Sequence, residues 1–275
     1  QSNDYQDVSD PDLTDSTEVT ADLAMILHAS EIATGRVGLR YTDLDEEDAA
    51  STRTETLVTY VGLDYSISER LDLAAEVGYF ERDTEEFGVT TRTTGPDLTL
   101  GLIYDMPAGT AMARLRVTTD DDEGQRETFE IGRDLEMPTA TISARLGVTH
   151  ADDAGTDLIG RLQVDRTLPD GTLGVVLERG ASYDDEPITS SLAGVTWTKA
   201  VNELSSISLN LTYELRDSAS ERIEQMSFGA GYSRQLTADW NLDTGLGYRV
   251  RNDGDGRAES PTLFVSISRN FEFRP

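Results

Sequence analysis

The stretch TLVTYVGLDYSI, residues 56–67, decides the fold. Leu57, Val61, Leu63, Tyr65 and Ile67 fall on one parity, with Thr59 its single polar member. Val58, Tyr60, Gly62, Asp64 and Ser66 fall on the other. A period of two belongs to a β-strand with one apolar and one polar face, because successive side chains leave opposite sides of the backbone. The pattern returns in LDLAAEVGY (71–79), LTLGLIY (98–104), ATISARLGV (140–148), SISLNLTYEL (206–215) and WNLDTGLGYRV (240–250). It returns last in LFVSISRNFEF, where Leu263, Val265, Ile267, Phe271 and Phe273 alternate with polar residues.

The breaks between these runs alternate in kind. One set is short, near Ser68, Met106, Met137, Leu168, Val201 and Thr237. The other is acidic, at 43–48, 81–86, 120–124, 150–157, 183–187, 216–221 and 251–256. Each set recurs at a hairpin spacing. Seven acidic loops joining pairs of strands predict fourteen strands, the first at about 32–42 and the last at about 259–273. Twelve and sixteen are the neighbouring counts. Both termini then fall on the short-turn side.

Composition removes other classes. The chain carries 52 Asp+Glu against 23 Lys+Arg, a formal net charge of −29, which argues against nucleic-acid binding. It has no cysteine and only His28 and His150, so neither a disulfide nor a thiolate metal site is available. No apolar run is long enough for a transmembrane helix, but a membrane-spanning strand needs only about ten residues, half of them apolar. The sequence opens on Gln1 without a basic, apolar leader, as expected of a mature chain whose export signal has been removed or of a trimmed one.

A sandwich would bury one face and mix its connection lengths. Fourteen meandering strands with tight turns at one end predict a closed antiparallel up-and-down barrel. The polar parity carries Asp64, Glu76, Arg114, Arg116, Glu130, Arg145, Arg161 and Glu178. Unpaired, these cannot fill a dry core. A wide barrel can line water with them while the apolar parity meets lipid, and closure satisfies the backbone there. Aromatics on the outward parity form two belts, as interfacial rings do. Tyr65, Tyr104, Trp197, Trp240, Phe271 and Phe273 fall near the short turns, and Tyr248 falls near the acidic end. Arg133 and Arg269 break the apolar parity. A bulge at Arg133, or snorkelling of its side chain to the interface, would accommodate the first.

The strand repeat, the asymmetry of the connections and the closing LFVSISRNFEF resemble bacterial outer-membrane β-barrel proteins of the porin type. The resemblance covers about residues 32–275. It implies insertion by the barrel-assembly machinery, a lipid and lipopolysaccharide environment, periplasmic termini and extracellular acidic loops. Porins are commonly homo-oligomers, so a homo-oligomer or an envelope protein is the partner class implied. Arg269 and the Arg274-Pro275 that follow the last aromatic depart from the family pattern.

Residues 1–31 stand apart as an acidic tail whose segment 18–30 could be a short helix, an added strand or a lumen plug. A segment tucked into or against the short-turn end is the expectation, and an added strand would make fifteen and put the termini on opposite sides. On the polar parity, Arg116, Glu130, Arg145, Arg161 and Glu178 all fall at mid-height, with Glu76 at a similar level and Arg114 just below. They form a candidate selectivity constriction, and equally a cross-strand ion ladder that stiffens the wall. The acidic loops could hold Ca²⁺ or Mg²⁺, although none has full calcium-loop spacing. His150 beside Asp152 and Asp153 is the one candidate for catalysis, and a surface histidine in an acidic loop accounts for it more simply. No enzyme is expected. The function expected is a passive channel for small hydrophilic solutes or ions. The rival is a non-channel barrel that anchors another envelope component.

Overall fold

The computed structural model describes residues 2–4, 14–46, 52–121, 124–152, 154–182, 187–218, 221–237, 239–254 and 256–269. Its strands are β1 (Ser2–Asp4), β2 (Thr14–Ser30), β3 (Ala33–Glu46), β4 (Thr52–Ser68), β5 (Leu71–Glu86), β6 (Val89–Met106), β7 (Gly109–Asp120) and β8 (Gly124–Met137). They continue with β9 (Ala140–Ala151), β10 (Gly155–Leu168), β11 (Gly171–Ser182), β12 (Ile188–Asn202), β13 (Ser205–Ser218), β14 (Arg222–Gln235), β15 (Trp240–Asp253) and β16 (Gly256–Arg269). Hydrogen-bonded order follows chain order throughout. The fold is therefore an all-β, up-and-down sheet of fifteen long strands preceded by the three-residue β1.

The chain divides into two compact units. One holds β1–β7, β8 as far as Arg133, and Arg145–Ile159. Its neighbouring strands from β1 to β7 are all antiparallel. The other holds Asp134–Ala144, Gly160–Ser182 and β12–β16. Its neighbours from β10 to β16 are likewise antiparallel.

The expected count of fourteen is one short, and the added strand that would make fifteen is the alternative the structure shows. Residues 14–30, expected as part of a separate tail or plug, form β2 and pair with β3 from Ser16↔Glu46 to Ser30↔Ala33. Val19, Ala21, Leu23, Met25 and Leu27 do share a parity, but Ala24 and Ile26 sit on the other and blur the alternation. β2 also begins at the acidic end, so Thr14 is not on the short-turn side as expected. Phe271 and Phe273 lie outside the described residues.

The acidic connections differ from expectation as well. ERDTEE (81–86) lies wholly within β5, and the turn is Phe87-Gly88. Both turn residues have positive φ, 51° and 76°, the geometry of a two-residue hairpin turn. Phenylalanine is unusual there, which hides the turn from a sequence reader who looks for Asn-Gly. Likewise 43–46 belongs to β3. The carboxylates stay on strands because arginines on the next strand meet them. Asp43 and Glu55 are directly opposed. Arg53 bridges them, with Nη2 at 2.8 Å from Asp43 and 2.9 Å from Glu55. Arg92 pairs in the same way with Glu81 and Asp83. The two bonds from Arg53 hold the Asp43 carboxyl below its ordinary range.

The two faces are unlike a soluble protein's. In β4 the apolar parity is the open one, with Val61 58% exposed, whereas Tyr60 on the polar parity is 6% exposed. In β9, Leu146 is 55% exposed and Thr149 only 3%. The total surface, 18201 Å², exceeds the roughly 11,700 Å² of a compact soluble monomer of this mass. The apolar side chains have not been buried against one another.

Candidate functional site

The polar face carries the candidate site, and each unit builds its own part. In the first unit, hydrogen-bond register puts Arg36, Gly62, Glu76, Thr99 and Arg116 on one level across β3–β7. Glu76 and Arg116 therefore share a level, as the count from the turns predicts. The level below contains Asp64, Ala74, Gly101 and Arg114. The level above contains Gly38, Tyr60, Gly78, Asp97 and Thr118.

Most of this charge is paired diagonally between levels. Arg116 donates from Nε to Asp97 Oδ2 at 2.9 Å, with Nη2 at 2.8 Å, and Thr118 donates to the same oxygen at 2.8 Å. Arg36 donates to Asp64 at 3.1 Å. Sequence reasoning singled out neither Arg36 nor Asp97. Their signal was present in the parity, but the diagonal partner depends on strand register. Arg114 faces Ala74 and Gly101 across the strands, and neither supplies a counter-charge. Glu130 leans over Gly147, where an added Cβ would lie 2.8 Å from Glu130 Cγ. Arg145 keeps its Nε buried with no hydrogen-bond partner among the described residues.

Nearer the acidic end, Asp22 clamps β2 to the sheet. One of its oxygens accepts from Arg40 Nε at 3.1 Å and the other from the Tyr60 hydroxyl at 3.1 Å. Arg40 also lies 5.4 Å from the centroid of the Tyr60 ring. The ring covers Gly38, where an added Cβ would meet Tyr60 Cζ at 2.5 Å. Only glycine leaves that space.

In the second unit Arg161 and Glu178 are direct cross-strand partners, 3.4 Å apart. Arg161 also donates to Gln163 at 3.1 Å, and Gln163 donates to Asp165 at 2.7 Å. The two members of the proposed belt in this unit are thus brought together, as an ion ladder running down β10.

On the apolar face, Tyr65, Tyr104, Trp240 and Tyr248 are exposed, and Trp197 is half-buried opposite Leu173 and Leu209. The two exceptional arginines find partners there. Arg269 lies over the Trp240 ring at 5.4 Å. The Arg133 guanidinium reaches down to Met106 Sδ at a short turn. His150 bonds to Thr156 at 3.0 Å, while the Asp152 carboxylate accepts from the Gln125 backbone, so the two do not form a base and its orienting acid. Asp153 lies outside the described residues. Among the described residues, no three histidine, aspartate or glutamate side chains converge as a cation site.

No family model and no curated protein sequence matches the chain. Solved structures match its fold. The ferric-catecholate import receptor Fiu from E. coli K12 aligns over 94% of this chain and 53% of its own, at 11% identity and TM-score 0.65. The outer membrane transporter YddB from Escherichia coli aligns over 90% and 50%, at 9% identity and TM-score 0.55. The copper transporter OprC aligns over 93% and 55%, at 13% identity and TM-score 0.53. The chain spans about half the length of these proteins. At such identities the likeness is one of fold, and the fold is that of bacterial outer-membrane β-barrel proteins.

Proposed function

We propose that the chain forms the wall of a closed outer-membrane β-barrel and lets small hydrophilic solutes or ions pass by diffusion. The carrying observation is the inverted face pattern. The parity of Leu57, Val61 and Leu63 is open, while the parity of Tyr60, Gly62 and Asp64 is screened and charged. Lipid on the first face and water on the second satisfy both. In the first unit the band from Leu71 to the level of Leu57 and Glu81 runs ten residues along β5, about 33 Å. At the usual strand tilt that is roughly the 25 Å apolar band of such barrels. Above it Asp43, Glu55, Asp83 and Arg92 form a charged level suited to the headgroup region.

In this reading Glu76, Arg114, Arg116, Glu130 and Arg145, together with Arg161 and Glu178, line the water path and set its ionic preference. Tyr65, Tyr104, Trp197, Trp240 and Tyr248 rest at the interfaces. Lipid and lipopolysaccharide are the surroundings, and the acidic ends face outward. The test is ion conductance of the purified full chain in planar bilayers. Discrete, ohmic current steps are expected, and their absence over a preparation verified as folded refutes the channel.

A further inference from the structure

We infer that the open edge of β6, at the tip of the β5–β6 hairpin, docks a basic, extended segment of a partner polypeptide. The segment adds a strand beside Thr90 and Arg92 and brings an apolar side chain to Val89 and Phe87. The inference goes beyond the channel reading and does not depend on a conducting lumen. β6 pairs with β5 from Val89 to Tyr104, but with β7 only from Asp97 to Met106. Above Asp97 the β7 chain leaves the ladder and crosses the β6 backbone at Gly95. An added Cβ there would collide with the Thr119 carbonyl. The upper part of β6 is therefore paired on one side only.

Alternation fixes which backbone groups face the open side. In an antiparallel strand the N–H and C=O of one residue point to the same neighbour, and successive residues alternate. Asp105 donates its N–H to the Arg70 carbonyl, on the β5 side. Thr94 donates its N–H the other way, to Asp121 Oδ1 at 2.7 Å. Pro96, Arg92 and Thr90 share the phase of Thr94 and face away from β5. The N–H that Pro96 lacks is one that would have met β7, which is a second reason for the ladder to stop there. Asp121 takes the place of β7 at Thr94. At Thr90 and Arg92 the outward N–H and C=O have no partner among the described residues, and Val89–Arg92 is exposed throughout.

Folded proteins ordinarily guard such an edge with an outward charge or a bulge. Here the edge's one charge is turned inward, since Arg92 pairs with Glu81 and Asp83 on β5. The tip carries a second outlier. Phe87 holds φ at 51° and is 75% exposed, with Val89 beside the turn at 66%. The turn itself disfavours an aromatic there, so the ring's use lies in what it meets. Charge selects the partner. Glu85 lies directly across from Thr90 and is exposed. Its own cross-strand neighbour, Arg53, is committed to Asp43 and Glu55. Thr90 is short, so a lysine or arginine on the added strand reaches over it to the Glu85 carboxylate. The net charge of −29 draws in a basic segment and repels a second copy of this chain. Val89 and Thr91 leave the opposite face, so the partner's alternate residues are apolar. Backbone bonds then supply affinity and the alternating side chains supply choice.

The test is fluorescence anisotropy of a fluorescein-labelled heptapeptide of alternating lysine and valine, titrated with the full chain in detergent micelles. Saturable binding is expected in the native chain. Thr90→Pro removes an outward donor while keeping the charge and the bonds to β5, and should weaken binding about tenfold, the loss of one or two hydrogen bonds. Phe87→Asn, which relaxes the turn, should weaken it as well. Each variant is checked for β-sheet circular dichroism. If Thr90→Pro unfolds, a probe with proline at its centre decides, and the native chain should bind it about tenfold more weakly than the parent probe of equal charge. No binding by the native chain overturns the inference. Equal binding of the two probes, or of the native chain and a folded Thr90→Pro, reduces the attraction to net charge and overturns it too. Tighter binding of a glutamate–valine probe refutes the basic partner. A dimer by light scattering that dissociates in Thr90→Pro gives the edge to a second copy and likewise refutes it.

Discussion

Replacing Val61 by arginine separates a lipid-facing wall from an ordinary soluble sheet. Val61 is 58% exposed and shares its level with Met25, Val37, Val77, Leu98 and Val117, the middle of the apolar band. Fully burying a valine is worth ~1.5–3 kcal/mol, so transferring its exposed part to lipid accounts for ~1–2 kcal/mol. Adding a guanidinium at mid-depth raises the total to about 2–4 kcal/mol, the range measured for arginine on barrel exteriors. With a urea m-value of about 3 kcal/mol/M, the unfolding midpoint in lipid vesicles should fall by about 1 M. Leu57→Arg, on the level of Tyr41 and Glu81 near the end of the band, should cost only ~0–1 kcal/mol. The assay is urea unfolding in phosphatidylcholine vesicles, followed by tryptophan fluorescence. If Val61→Arg costs less than about 0.5 kcal/mol, as an exposed substitution in water does, the face does not meet lipid. Equal costs at the two positions would refute the depth assignment.

Gly38→Ala should destabilise by about 1–3 kcal/mol, because the new methyl lies 2.5 Å from Tyr60 Cζ and 2.9 Å from the Leu23 carbonyl; equilibrium unfolding checks it. Phe87→Asn should stabilise slightly, by up to about 1 kcal/mol, since asparagine tolerates the positive φ of that turn; a lower midpoint would contradict the turn geometry. The Asp43–Arg53 pair depresses the Asp43 pKa, so its stability contribution is complete above the ordinary value of 3.8 and is lost as pH falls through the lower folded value. Asp43→Asn should abolish that acid-side dependence, read as the pH profile of the unfolding midpoint. In bilayers, Arg116→Glu with Arg145→Glu should shift the reversal potential toward cations. Asp97→Asn with Arg116→Gln removes a neutral pair and should leave it unchanged; a shift of equal size would show that Arg116 acts as a free charge.

Alternation is a local property, and that is why so much was legible. Whether Val61 and Tyr60 leave opposite faces depends only on strand geometry, so strands and parities could be read without any partner. The tight turns near Met106, Met137 and Leu168 were legible for the same reason. Contacts between strands were not. Residues 14–30 become a strand because β3 offers a ladder and because Arg40 and Tyr60 meet Asp22, and these partners lie 18 and 38 positions along the chain. The acids at 43–46 and 81–86 read as loops because isolated carboxylates prefer water. Met by Arg53 and Arg92, Asp43, Glu81 and Asp83 extend the sheet instead.

The candidate site divides along the same line. The sequence alone determined that Glu76, Arg114, Arg116 and Arg145 belong to the polar parity and that Glu76 and Arg116 share a height. Only the tertiary structure decided which charges are spent on one another, since a diagonal pair such as Arg116–Asp97 requires the register of β6 against β7. It also decided that the Phe264 ring lies over Gly245 of the neighbouring strand. Periodicity in one chain segment assigns a side chain to a face; what that side chain does there depends on the strand beside it.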